Sequence, residues 1–277
     1  MDEIRKIGIC GSRGMVGSIV YKYFKERKKY EVYGYSKTDR IQFEEVNSSD
    51  LIFICTPTPY NWDTGKFEIN IVESVLSMIK DGKIVVIKST ILPGTTKQLQ
   101  LKFPKLKLLF NPEFLSEATA YGDFINPDRQ FIGYTKESYP HAIEVLNLLP
   151  ESAYGMIMPS EQAEILKYIN NIHGCIQVIE ANHFYDVCKA MEIDYDKTIK
   201  DAQASKWIGV PMGRMYWDVW HKNKRGFGGK CFSKDVHAWA EFCKSKKLDV
   251  RLIQSVIDVN KDILRLQGFS WRDSEEL

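Results

Sequence analysis

Lys6-Ile7-Gly8-Ile9-Cys10 runs into Gly11-Ser12-Arg13-Gly14-Met15-Val16-Gly17, and then into Ser18-Ile19-Val20-Tyr21-Lys22-Tyr23-Phe24. The first five residues read as a short apolar strand, and the last seven have helical periodicity. Between them lies a turn rich in glycine. Strand, glycine turn and helix in that order form the setting of a dinucleotide site, because N–H groups at a helix N-terminus meet a pyrophosphate there. The spacing is G-x-x-G-x-x-G, one residue longer than the usual fingerprint. A plain strand-to-helix turn would use the same glycines, so the flanking elements carry the reading. Gly11, Ser12, Arg13, Gly14, Met15 and Val16 become candidate cofactor contacts.

The next strand is Glu31-Val32-Tyr33-Gly34-Tyr35. An acid at its end would bind a ribose 2′-hydroxyl, as in NAD sites. Ser36 stands there instead, with Lys37 and Arg40 close by to receive a 2′-phosphate, and Asp39 within reach of a ribose. The cofactor is therefore expected to be NAD or NADP. Leu51–Cys55 is a third buried strand, stopped by Thr56-Pro57-Thr58-Pro59. Its C-terminal end is where ligands of open α/β sheets bind, which adds Thr56 and Pro57. A helix near Asn70–Met78 and a strand at Lys83–Ile87 lead to Ser89-Thr90-Ile91-Leu92-Pro93-Gly94-Thr95, a loop rich in hydroxyls. Thr95 is expected to cap a helix over Thr96–Leu101. A strand at Leu106–Phe110 opens onto Asn111-Pro112-Glu113-Phe114-Leu115-Ser116-Glu117. Two carboxylates four residues apart suit either general acid/base work or the N-terminal charge preference of a helix. The strand–helix alternation predicts a Rossmann-like doubly wound parallel sheet over residues 1–157.

From Pro159 onward the pattern becomes helical. Ser160 suits an N-cap, and Ala163 to Lys189 is apolar at helical spacing. This predicts an all-α domain over 158–277 with a long central helix, suited to a subunit interface. Lys167 and Asn171 project from one face of that helix; taken alone, such a pair is most often solvated. Asp194–Ala204, Val236–Lys244 and Leu252–Gln267 read as further helices. Trp207, Trp217, Trp220 and Trp239 are expected in a core or interface.

Gly226-Phe227-Gly228-Gly229-Lys230-Cys231-Phe232-Ser233-Lys234-Asp235 is the other distinctive stretch. Three glycines within four residues allow a tight bend and close approach to a ligand. A cysteine, a lysine and an aspartate follow. A thiol attacks as its thiolate, which a neighbouring ammonium favours. A bent loop presenting a nucleophile and a glycine turn with a buried core cysteine both fit these residues.

The chain has 277 residues, 44% hydrophobic and 27% charged, with net charge +2. That balance is ordinary for a globular protein and predicts no nucleic-acid or membrane partner. No apolar run is long enough for a membrane span, and Met1–Lys6 leads straight into a strand rather than an h-region. Six scattered cysteines without a C-x-x-C pair predict neither metal nor disulfides, and a cytoplasmic location.

Taken together, the motifs resemble the UDP-glucose/GDP-mannose dehydrogenase family over nearly the whole chain. Thr56-Pro57-Thr58-Pro59, Ser89-Thr90 with Pro93-Gly94-Thr95, Asn111–Leu115 with Glu117, and Asn126-Pro127-Asp128-Arg129 look like its successive motifs. Ala163-Glu164 with Lys167 and Asn171 matches its central helix, where Asn182 falls at another family position. Val259-Asn260 matches its following helix, and the glycine–cysteine stretch its most specific motif. The resemblance implies oxidation of the primary alcohol of a nucleotide sugar to a carboxylate, with two hydride transfers and a Cys231 thiohemiacetal and thioester. It implies that Lys167 and Asn171 stabilise an oxyanion. Glu117, Thr90 and Asp235 position water, and Glu113 assists proton transfer or touches substrate. Thr90 and Glu117 also face the cofactor, while Phe114, Leu115, Phe227, Gly228 and Lys234 join Lys167 and Asn171 at the substrate. A homodimer through the long helix is expected.

Departures are the longer glycine fingerprint, Ser36 in place of an acid, Lys224 for a glycine, Lys230 for a small residue and Ser233 for proline. The resemblance also implies a short form without the family's C-terminal nucleotide-covering domain, so a partner chain or a smaller substrate is expected to replace that wall. A single-step β-hydroxyacid-type dehydrogenase and a non-catalytic cofactor-binding subunit remain the competing readings.

Overall fold

The computed structural model describes residues 4–37, 43–205, 208, 214–221 and 223–270. The chain divides into two compact units, Met1–Pro59 with Phe67–Lys167, and Tyr60–Lys66 with Tyr168–Leu277.

The first unit is a seven-stranded sheet between helices. Its strands are β1 (Lys6–Cys10), β2 (Glu31–Tyr35), β3 (Leu51–Ile54), β6 (Ile84–Ile87), β7 (Lys107–Phe110), β8 (Arg129–Tyr134) and β9 (Tyr154–Pro159). Their order is β2-β1-β3-β6-β7-β8-β9. All neighbours are parallel except β7 and β8, where Phe110 pairs with Gly133 in antiparallel register. The β-strand period of two sends alternate side chains to opposite faces. Ile7, Ile9, Leu51, Phe53, Val86 and Leu109 join one core, and Ile52, Ile54, Val85, Ile87, Leu108 and Phe110 the other. Both faces are covered, which is why these strands read as continuous apolar runs. Helices α1 (Met15–Glu26), α5 (Ala120–Ile125) and α6 (Tyr139–Leu148) pack on the first face, and α3 (Asn70–Met78) and α4 (Thr95–Lys102) on the second. The short α2 (Phe43–Asn47) adds Val46 to the second face. Each fully buried aliphatic side chain contributes about 1.5–3 kcal/mol.

The long helix α7 (Ser160–Ala190) has 31 residues, about 46 Å of axis. The second unit also contains α8 (Tyr195–Ala202), capped by Asp194, a 3₁₀ turn at Arg214–Trp217, α9 (Gly229–Ser245) and α10 (Arg251–Leu266). Short strands β4 (Tyr60–Asn61) and β5 (Lys66–Phe67) close a hairpin. Ile172, Cys175, Phe227, Val236, Ala240, Ile253, Val256 and Ile257 form one of this unit's cores. The Phe232 ring lies so close to α7 that a Cβ on Gly174 would meet its Cζ at 2.5 Å.

Two local expectations are corrected. Thr95 is the first residue of α4 rather than its cap, and Gly94, in left-handed backbone, takes the cap position. A carboxylate from elsewhere satisfies that helix end, as described below. The stretch Gly226–Asp235 is not one bent loop: it becomes helix at Gly229, so Cys231 lies in the first turn of α9. Of the tryptophans, Trp217 is buried, Trp239 stacks on Tyr168, Trp220 is half exposed and Trp207 lies outside the described residues. Among the described residues no helix is long and apolar enough to cross a membrane.

Candidate active site

In the first unit the glycine turn is shaped by close packing. The N–H groups of Gly11 and Ser12 both donate to Tyr35 O, at 2.8 and 3.2 Å, tying the turn to the end of β2. A Cβ on Gly17 would sit 2.1 Å from Gly11 O, and one on Gly11 would sit 2.5 Å from Cys55 O. Only glycine lets α1, β3 and the turn approach this closely. Gly14 caps α1 with no side-chain hydrogen bond. Among the described residues no acid lies in the first turn of α1, so the helix presents a positive N-terminus of the kind that receives a pyrophosphate. At the end of β3 the buried Thr56 hydroxyl has no hydrogen-bond partner among the described residues, and Ser89 Oγ donates to Thr56 O at 2.6 Å. This surface fits a dinucleotide through Gly11, Ser12, Gly14, Met15, Val16 and Thr56. Arg13 and Pro57 are exposed on its rim. Ser36 is half-buried and Lys37 exposed just past β2, whereas Asp39 and Arg40 lie outside the described residues.

Beyond β6 and β7 the unit buries a charged cluster. Lys167 Nζ donates to Glu113 O at 2.8 Å and pairs with Glu113 Oε1 at 2.8 Å. Glu113 Oε2 accepts the Leu115 N–H at 3.0 Å. Burial alone would raise the Glu113 carboxyl, but Lys167, the Leu115 N–H and Lys88 together hold it below its ordinary range. Lys88, also buried, donates to Asn111 Oδ1 at 2.5 Å. Asn111 is oriented by its own donation to Phe131 O at 2.8 Å. Burial pulls Lys88 down to about 8, against the opposing influence of Cys55 and Glu113. Lys167 thus pairs directly with the carboxylate, while Lys88 acts on it through its charge in the same desolvated interior.

The loop carrying Thr90 is fixed from α7. Glu164, fully buried, accepts from Gly94 N at 2.5 Å, Thr96 N at 2.8 Å and Thr96 Oγ1 at 2.6 Å. It supplies the capping that Thr95 was expected to give. Thr90 O accepts from Thr58 Oγ1 at 2.7 Å. Glu113 and Glu117 do not share a face: Glu113 is buried, and Glu117 is exposed at the following turn. Phe114 and Leu115 are half-buried, and Arg129 lies over the Phe114 ring at 4.2 Å.

In the second unit Asp235 is almost wholly buried. Its Oδ2 accepts from Asn171 Nδ2 at 2.6 Å, and its Oδ1 pairs with Lys234 Nζ at 2.6 Å. Cys231 is exposed one turn earlier on α9. Residues four apart on a helix share a face, so Cys231 and Asp235 are aligned on α9, as Lys167 and Asn171 are on α7. Phe227 is buried and Gly228 is the N-cap of α9. The sequence offered Lys88 and Glu164 no role. Lys88 directly ends an apolar strand, which was the available signal; Glu164 carried only its place in a motif.

Residues 23–147 match the model of the UDP-glucose/GDP-mannose dehydrogenase family, NAD binding domain. Residues 161–262 match the central domain of the same family. A UDP-glucose 6-dehydrogenase of Rickettsia prowazekii is 28% identical over 240 residues, 81% of this chain and 53% of that protein. The UDP-glucose 6-dehydrogenase TuaD of Bacillus subtilis is 30% identical over 227 residues, 78% of this chain and 47% of that protein. The chain spans about half the length of the curated relatives it matches. In fold it resembles a UDP-glucose dehydrogenase from Pyrobaculum islandicum, with TM-score 0.80 and 24% identity over 95% of this chain and 69% of that one.

Proposed function

Because the chain belongs to the UDP-glucose/GDP-mannose dehydrogenase family, we propose that it oxidises the primary alcohol of a nucleotide sugar to a carboxylate, with Cys231 as nucleophile. NAD, when bound, accepts the hydride of each oxidation. The observation that carries the reading is the buried Asn171–Asp235 hydrogen bond, with Cys231 one turn before Asp235. Within the second unit it couples the α9 face that bears the thiol to Asn171 of α7.

At the aldehyde level Cys231 Sγ bonds to the carbonyl carbon, and the carbonyl oxygen takes a proton to give a thiohemiacetal. Loss of a hydride and of the hydroxyl proton leaves a thioester. Water then adds, the C–S bond breaks, and the thiolate departs from the carboxylate. A thiolate in the first turn of α9 has the helix N-terminus to stabilise its charge. Lys167 and Asn171 donate to the oxygen that gains charge at each tetrahedral stage. Glu113, its carboxyl held below its ordinary range, pairs with Lys167 and keeps its ammonium aimed. Asp235, Thr90 and Glu117 orient water, Thr90 and Glu117 also face the cofactor, and Lys234 completes the Asp235 pair beside substrate. Phe114, Leu115 and Gly228 shape the substrate wall, whereas Phe227, expected there, packs in a core of the second unit.

Incubation with a panel of nucleotide sugars, UDP-glucose first, and with NAD and NADP in parallel tests this by absorbance of the reduced nicotinamide. Turnover to the acid with two reduced cofactors per sugar is expected. Absence of turnover despite cofactor binding would sink the proposal, as would acid formation by Cys231→Ser. A preference for NADP would support a 2′-phosphate role for Ser36, Lys37 and Arg40. We also propose a cytoplasmic homodimer. It is supported by the exposed Ile169, Phe184 and Val187 of α7 and is checked by sedimentation.

A further inference from the structure

Two carboxamides on α10 and just beyond its end hold the chain immediately ahead of α9. Asn260 Oδ1 accepts the Phe227 N–H at 2.8 Å, and Asn260 Nδ2 donates to Phe227 O at 2.9 Å. Seven residues on, Gln267 Oε1 accepts the Arg225 N–H at 2.8 Å, and Gln267 Nε2 donates to Arg225 O at 3.2 Å. Each side-chain amide pairs with both main-chain groups of one residue, as a strand partner would. The two residues so held flank Gly226, which is in left-handed backbone at φ 84°. A Cβ on Gly226 would meet Asn260 Oδ1 at 2.7 Å and Ile263 Cγ2 at 3.2 Å, so glycine is needed both for the bend and for the approach of the amide.

The flanks are fixed as well. Arg225 Nε donates to Asn182 Oδ1 at 2.9 Å, and its NH2 pairs with Asp186 Oδ1 at 2.8 Å. Phe227 is buried in the same core as Val236, Val256 and Ile257. A buried amide is costly unless both its donor and its acceptor are used, and hydrogen bonds are directional where apolar packing is not. The Asn260 and Gln267 pairs therefore fix the path of the backbone, not only its burial. The residue after Phe227 is the N-cap of α9, and Cys231 follows within the first turn.

We propose that Asn260 and Gln267 are positioning residues for Cys231: by pinning Arg225 and Phe227 they fix where α9 begins, and so where its thiol is presented. The inference rests on the reading of Cys231 as the nucleophile. Asn260→Asp keeps size and acceptor but turns the donor into an oxygen facing Phe227 O. Gln267→Glu makes the same change at the less buried site, and it decides the matter if Asn260→Asp does not fold.

On the full chain, three quantities are measured for each variant. These are kcat and KM with UDP-glucose and NAD, the rate of Cys231 carbamidomethylation by iodoacetamide read by peptide mass spectrometry, and the urea midpoint. A looser helix start is expected to lower kcat about tenfold or more, with the NAD KM within about twofold. Alkylation of Cys231 should slow about two- to fivefold as the helix terminus frays away from the sulfur, and this readout needs no turnover. A lower urea midpoint with wild-type kcat and wild-type alkylation would overturn the inference, since that is all a purely structural role produces. The two failures are distinguishable. If Cys231→Ser still forms acid, the nucleophile reading falls and this inference with it. If Cys231→Ser is inactive while both amide variants alkylate at the wild-type rate, positioning alone is refuted.

Discussion

Lys167→Met removes an ammonium from a site that was built around it. Lys167 and Glu113 are 2.8 Å apart, with side chains only 5% and 8% exposed. Methionine keeps the length and fills the space, so packing loss is small. What remains is a buried carboxylate that accepts the Leu115 N–H at 3.0 Å. Breaking one side of a buried ion pair costs about 3–5 kcal/mol, and the Lys88 charge nearby argues for the lower end.

The pH dependence fixes the sign. In the wild type the Glu113 carboxyl is held below its ordinary value, so its stabilisation is present above the unfolded value and lost as pH falls through the folded one. In Lys167→Met burial is no longer opposed by the ammonium, the carboxyl rises above its unfolded value, and the penalty grows with pH. The difference between the two proteins should therefore be about 3 kcal/mol near pH 8 and clearly smaller near pH 5. Urea unfolding at the two pH values measures it. Glu113→Gln alone and with Lys167→Met completes a double-mutant cycle that isolates the pair. An equal loss at both pH values, or a coupling below about 0.5 kcal/mol, would refute the reasoning.

Asp235→Asn keeps the shape but removes the charge that Lys234 and Asn171 share; kcat should fall about 10²-fold or more with cofactor affinity unchanged, as steady-state kinetics and NAD titration would show. Gly17→Ala places a Cβ against Gly11 O; helix propensity favours alanine by about 1 kcal/mol, yet the clash should lower the melting temperature and weaken NAD binding, read by calorimetry. Lys88, pulled from 10.5 to about 8, binds fewer protons folded than unfolded between those values. Wild-type stability should thus rise from about pH 7 to pH 10 by up to about 3 kcal/mol. Lys88→Met should abolish that rise in urea melts.

Much of the fold was legible along the chain because it depends on local periodicity. Strands buried on both faces appear as apolar runs, and β1, β3, β6 and β7 fall within a residue of their expected bounds. The central helix was expected from its spacing and runs over Ser160–Ala190. The start of α9 was not legible: Gly228-Gly229 reads as loop, but the chain ahead of it is tied to Asn260 and Gln267, far along the sequence. Thr95 looked like a helix cap for the same local reason, and lost that place to Glu164, nearly seventy residues away. The carboxylates at 113 and 117 looked equivalent in spacing, yet only Glu113 meets Lys167.

By itself the sequence determined the strand–glycine–helix entry, the sheet, the long helix, and the residue types that carry the family resemblance. Hydrophobic period and backbone freedom act between neighbours, so they can be read in order. Tertiary structure decided which charges are buried together. It paired Glu113 with Lys167 beside Lys88, and Asn171 with Asp235. It also decided that Cys231 opens a helix. Desolvation and hydrogen-bond geometry depend on distance in space, and no spacing along the chain states them.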